Sequence, residues 1–175
     1  MAKIKISIWL ILTLFSSLGA LGQYCCIEHT YNSQIGVREL SGNNDGEAIV
    51  MYLESTGLGP GYPWCAAFVN WTLTNCCVET VNSPAWSPSW FIKDNIVWVR
   101  NRDDNAPPIP GDVFGIYFPT KKRVAHVGFI DCWQCESSVA ITVEGNTNNA
   151  GSREGDGVYR KRRLKKQIYK VARFR

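Results

Sequence analysis

At 175 residues, of which 45% are hydrophobic and 12% aromatic, the chain is long enough to bury one sizeable core and too short for two full domains. Its net charge of +4 is unevenly placed: residues 23–152 hold seven Lys and Arg against thirteen Asp and Glu, whereas residues 153–175 hold ten against two. A single domain with an acidic body and a basic tail is expected.

The segment MAKIKISIWLILTLFSSLGALGQ starts with Lys3 and Lys5, continues through an apolar run from Ile6 to Phe15 and ends in small residues. It is predicted to be a signal peptide over residues 1–22, cleaved after Gly22, so that the protein is exported and the mature domain spans 23–175. A retained membrane anchor is the alternative. It is disfavoured because the run falls short of the ~20 residues of a spanning helix and is broken by Thr13, Ser16 and Ser17. Bulky Tyr24 likewise disfavours a lipid anchor on Cys25.

Further along, Ala48, Ile49, Met51, Tyr52 and Leu53 follow the turn-rich SGNNDG at helical spacing and predict a short helix over Glu47–Leu53. After the glycine-rich STGLGPGYP, the run WCAAFVNWTL predicts a second helix from Trp64 to Leu73, with Pro63 at its start and Ala66, Ala67, Val69 and Leu73 to bury. The sequon-like Asn70-Trp71-Thr72 lies inside it and is read as incidental. A third helical stretch is expected in SPAWSPSWFIKDNIVWVR, capped by Ser87 or Ser89, anchored by Trp90, Phe91, Val97 and Trp98, and ended by APPIPG. Five strands are then expected: DVFGIYF, RVAHVGFI, VAITVEG, GVYRKRRL and IYKVARF. Helices first and strands later predict an α+β domain, N-terminal helices packed on a C-terminal antiparallel sheet of about five strands.

All seven cysteines lie beyond the leader: Cys25, Cys26, Cys65, Cys76, Cys77, Cys132 and Cys135. In an oxidising compartment an odd count leaves at least one unpaired, paired between molecules, or kept free for chemistry. Disulfides are expected among the six other than Cys65, with Cys132 and Cys135 bonded to each other or to a near neighbour. Zinc at the Cys132–Cys135 CxxC is disfavoured because a structural site needs four ligands and no second CxxC exists. No metal and no cofactor are expected.

Cys65 stands where a nucleophile is most easily made, at the start of a helix whose unpaired N–H groups stabilise a thiolate. An ordinary buried cysteine is the bland alternative. Only two histidines exist, and His29 lies near the mature N-terminus, so His126 in RVAHVGFI is the better-anchored base. Glu144 and Asn146 end VAITVEG two residues apart, on one face of a strand, and either can orient an imidazole.

Taken together, GYPWCAAFVNW, PGDV, AHVGFI and VEGNTN resemble the CHAP family of cysteine, histidine-dependent amidohydrolases and peptidases, related to NlpC-type cell-wall peptidases. The resemblance covers about residues 34–174. It implies a papain-like fold, cleavage of amide bonds in peptidoglycan peptides, Cys65 as nucleophile, His126 as base, Glu144 and Asn146 as polar assistants, and Asp112 as a structural turn residue. Trp64 precedes the cysteine where many members have Gln, so the oxyanion donors are the Cys65 N–H and one still to be identified. A monomer that binds no nucleic acid is expected. The basic tail either holds anionic wall polymers or, as favoured, solvates the outer faces of strands. The alternative function is a non-catalytic, disulfide-stapled module that binds wall peptides or a protein partner; acyl transfer would use the same residues as hydrolysis.

Overall fold

A computed structural model describes residues 25–148 and 155–175, so the expected leader lies outside the described residues. The described chain opens with a helix, α1 (residues 25–33), where the sequence reading had placed no element. Ile27 and Tyr31, four residues apart, share its inner face and are fully buried. Tyr31 stacks on Phe129 with ring centroids 5.1 Å apart and donates a hydrogen bond to Asp131. This packing, rather than helix propensity, accounts for the element.

Two expected helices are present. In α2 (Glu47–Glu54), Ile49, Tyr52 and Leu53 face inward, and the chain enters it through Gly46 at φ 105°, a conformation L side chains rarely adopt. The second, α3 (Cys65–Asn75), is buried along most of its length. Its Asn70 is buried and donates to the Ser55 carbonyl, which removes it from solvent and from glycosylation.

The third expected helix does not form. The stretch folds as two 3-10 turns, Ser87–Trp90 with Pro88 in its first turn and Lys93–Asn95, followed by a strand, β1 (Ile96–Val99). The β-branched Ile96, Val97 and Val99 favour the extended form. Of the two proposed caps, Ser87 opens the first turn without making a side-chain cap bond.

All five expected strands are found: β2 (Val113–Phe118), β3 (Arg123–Cys132), β4 (Val139–Thr147), β5 (Gly157–Leu164) and β6 (Lys170–Ala172). With β1 they form a six-stranded antiparallel sheet in the order β1-β6-β2-β3-β4-β5, so the fold is α+β. Helix α3 packs on β3 and β4, and Phe68 meets Phe129 edge-on at 6.0 Å. The opposite face closes a smaller core around Phe114, Ile130, Ala140, Ile168 and Val171. There Trp98 of edge strand β1 touches Trp133 of the β3–β4 turn, 5.1 Å between ring centroids, so the sheet coils strongly.

Two disulfides staple the fold. Cys132–Cys135 closes the β3–β4 turn as expected, and Cys26–Cys76 ties α1 to the end of α3. Cys25, Cys65 and Cys77 are free, so two cysteines expected to pair do not. The basic tail also departs from expectation. Arg163 and Arg173 turn inward, with side chains 14% and 15% exposed, and pair with the fully buried Glu144 and Asp112. A solvated face does not describe them. Asp112 accepts from the Ile109 N–H and so does hold the turn before β2.

Candidate active site

The site forms where β3 and β4 part. Their ladder ends at the Phe129–Val143 pair, although β3 begins at Arg123 and β4 runs on to Thr147. The first turn of α3 sits at this fork. Gly145 allows the approach, because a methyl group there would lie 2.6 Å from the Trp64 ring and 2.9 Å from Cβ of Phe68. Gly128 makes room on β3, where a methyl would come within 2.9 Å of Phe114 and 3.0 Å of Cγ of Glu144.

Three of the four sequence-predicted residues meet across the fork. Nε2 of His126 lies 2.8 Å from Oε2 of Glu144, which leaves Nδ1 for the Cys65 thiol, and thiol and imidazole are near enough to shift each other's charge. Sγ lies 3.9 Å from the Ser87 hydroxyl, and the Val127 N–H, which the parted ladder leaves unused on that side, stabilises its negative charge. Cys65 and His126 are each 7% exposed, so they are nearly dry yet reachable.

Electrostatics in this dry site favour the ion pair. Burial acts to raise the Cys65 thiol, but His126, the Val127 N–H and Ser87 outweigh it, and its pKa falls below the usual thiol value. Burial acts to lower His126, but Cys65 and Glu144 prevail and raise it to about 9. Both shifts favour the thiolate–imidazolium form of the pair over the neutral one.

Glu144 has no exposed surface and is held as a carboxylate. Burial opposes its charge; the Arg163 guanidinium, then His126, overcome the penalty and depress its pKa far below the carboxylate range. Arg163 donates from Nε to Oε1 at 2.7 Å and from its terminal nitrogen to Oε2 at 2.6 Å, and Thr142 donates to Oε1 at 2.6 Å. The line of alternating charges thus runs from Cys65 through His126 and Glu144 to Arg163.

Asn146 takes a different place from the one its spacing implied. At φ 52° it is in the left-handed region, which Asn tolerates, and its side chain turns away from the imidazole toward the start of α3. Its Oδ1 accepts the Trp64 N–H at 3.2 Å, while Nδ2 donates to Asn44 at 3.0 Å and to the Gly155 carbonyl at 3.1 Å. Glu39 extends the brace by accepting from Trp64 Nε1 and the Asn44 N–H. Asn146 therefore fixes the residue before the thiol.

Sequence reading missed Arg163, Ser87 and Glu39. The Ala140–Arg163 pairing of β4 with β5 is the only signal for Arg163, and it requires the register. The site opens into a cleft of about 890 Å³ whose walls include Asn44, Tyr62, Trp86 and Arg123. Among the described residues no group of three or more His, Cys, Asp or Glu is arranged to hold a metal ion. Comparison of the chain with family models, with curated proteins and with solved structures finds no match, so the chemistry of the site rests on its own geometry.

Proposed function

We propose that the protein is an exported cysteine hydrolase of papain-like, CHAP-like architecture that cleaves amide bonds in peptidoglycan peptides. The observation that carries the enzymatic reading is the free, buried Cys65 thiol at the start of α3, beside an imidazole whose Nε2 is held by Glu144. A binding module has no use for a depressed thiol pKa beside a raised imidazole. The substrate class and the export follow from the sequence resemblance and the leader-like N-terminus.

In this mechanism Sγ of Cys65 is already a thiolate and attacks the amide carbonyl carbon, forming a C–S bond as the carbonyl electrons move to oxygen. That oxygen is received by the Cys65 N–H and the Ser87 O–H, the latter being the donor that sequence left unidentified. As the C–N bond breaks, imidazolium Nδ1 gives its proton to the leaving amine. Neutral His126 then takes a proton from water, the resulting hydroxide attacks the thioester, and Cys65 leaves as thiolate with the imidazolium restored. Glu144 keeps Nε2 protonated throughout, and Arg163 keeps Glu144 ionised.

The test is mass spectrometry of purified peptidoglycan after incubation with the protein. Wild type is expected to release fragments that each carry one new amine or one new carboxyl at a defined bond, and Cys65→Ala to release none. A folded Cys65→Ala protein that releases the same fragments at the same rate overturns the reading.

A further inference from the structure

Arg123 stands at the start of β3, three residues before His126, and lines the same cleft as Cys65. Its guanidinium lies over the Trp86 ring at 4.1 Å, and Trp86 is the neighbour of Ser87, whose hydroxyl reaches Sγ. Arg123 is half-buried, and its NH1 donates to the Val124 carbonyl. Among the described residues no carboxylate pairs with it; Arg38 and Arg100 are also without one and likewise sit over aromatic rings, but neither lines the Cys65 cleft.

A guanidinium does not lose its proton, so half-burying one without a counter-anion is unfavourable. Stacking on Trp86 offsets part of that cost and fixes the plane, leaving N–H donors in a planar fork that matches a carboxylate. Of the two carboxylates in the cleft wall, Glu39 is engaged by Trp64 and Asn44 and Asp156 by Tyr159. We propose that Arg123, seated on Trp86, is a substrate-carboxylate subsite: the cleaved peptide carries a free carboxylate within two or three residues of the scissile amide. Three residues of strand span about 10 Å, roughly the reach of that many extended peptide residues. The subsite rests on the hydrolase reading for its substrate and deepens it.

The test uses calorimetric binding to Cys65→Ala protein, so that nothing is consumed. The ligands are soluble peptidoglycan stem peptides and the same peptides with their carboxylates converted to amides. The free-carboxylate form is expected to bind on the order of tenfold more tightly. Adding Arg123→Gln should bring the ratio of the two affinities close to one, and Arg123→Lys should restore part of it. Equal binding of the two forms, a ratio that survives Arg123→Gln, or no measurable binding of either form at millimolar peptide overturns the proposal. If Arg123→Gln fails to fold, the comparison of the two peptide forms still decides. Cleavage by wild type is scored separately. Cleavage without carboxylate preference removes the subsite and spares the hydrolase, and carboxylate preference without cleavage does the reverse.

Discussion

Nε2 of His126 is committed to Oε2 of Glu144 at 2.8 Å, so only Nδ1 is left for Cys65. This fixes the tautomer and makes the thiol and imidazole one acid–base unit. Cys65→Ala and His126→Ala should each abolish amide cleavage, and the double variant should be scarcely worse than either alone. Kinetics of amine release, with circular dichroism to confirm folding, checks it; additive losses would mean that the two act separately.

The pH profile follows from the same pair. Cleavage needs the thiolate and the imidazolium together, so activity should decline as pH rises through about 9, where His126 loses its proton. Alkylation of Cys65 by iodoacetamide should stay fast well below the usual thiol pKa, since the thiol is shifted down. In stability terms the signs oppose. The raised His126 contributes stability that is present below its unfolded value of 6.5 and lost as pH rises through about 9. The lowered Cys65 contributes stability that is present above its unfolded value of 9.0 and lost as pH falls. Glu144 adds stability above its unfolded value of 4.5 that is lost on acidification, and urea titrations from pH 7 to 3 should show it.

Arg163 acts through Glu144. Removing it as Arg163→Gln leaves a buried carboxylate without its fork and should cost about 3–5 kcal/mol in urea unfolding. Loss of its positive charge should also let Glu144 hold the imidazolium more strongly, moving the alkaline limb of activity upward. A destabilised protein with an unmoved limb would make Arg163 purely structural.

Ser87→Ala removes a donor near both the thiolate and the developing oxyanion. Turnover should fall by about tenfold to a hundredfold, and the pH at which Cys65 alkylates should rise. An unchanged alkylation curve would deny it a role at the thiol.

Gly145→Ala tests the fork itself. The added methyl meets the Trp64 ring at 2.6 Å, so α3 must shift from β4 at a cost of about 1–3 kcal/mol, and cleavage should fall with it. Thermal melting and amine release together measure both effects.

Sequence alone determined the elements whose signal is local. β-rich runs separated by turn residues marked every strand from β2 to β6, and Pro63 with the apolar run behind it marked α3, because composition and turn chemistry are properties of neighbouring residues. It also singled out Cys65 and His126 by chemistry and scarcity. Tertiary structure decided the rest. The helix at 25–33 and the strand at Ile96–Val99 form because of what they pack against and pair with, and pairing of Ile96–Val99 with β6 took the end of the stretch expected to be helical. Glu144 and Asn146 look interchangeable two residues apart, yet a left-handed turn at Asn146 sends one side chain to the imidazole and the other to the Trp64 backbone. Arg163 read as one charge among many in a basic tail. Pairing of β5 with β4 puts it opposite Ala140, from where its long side chain reaches along the strand to buried Glu144, and no local pattern encodes which distant strand will be its neighbour.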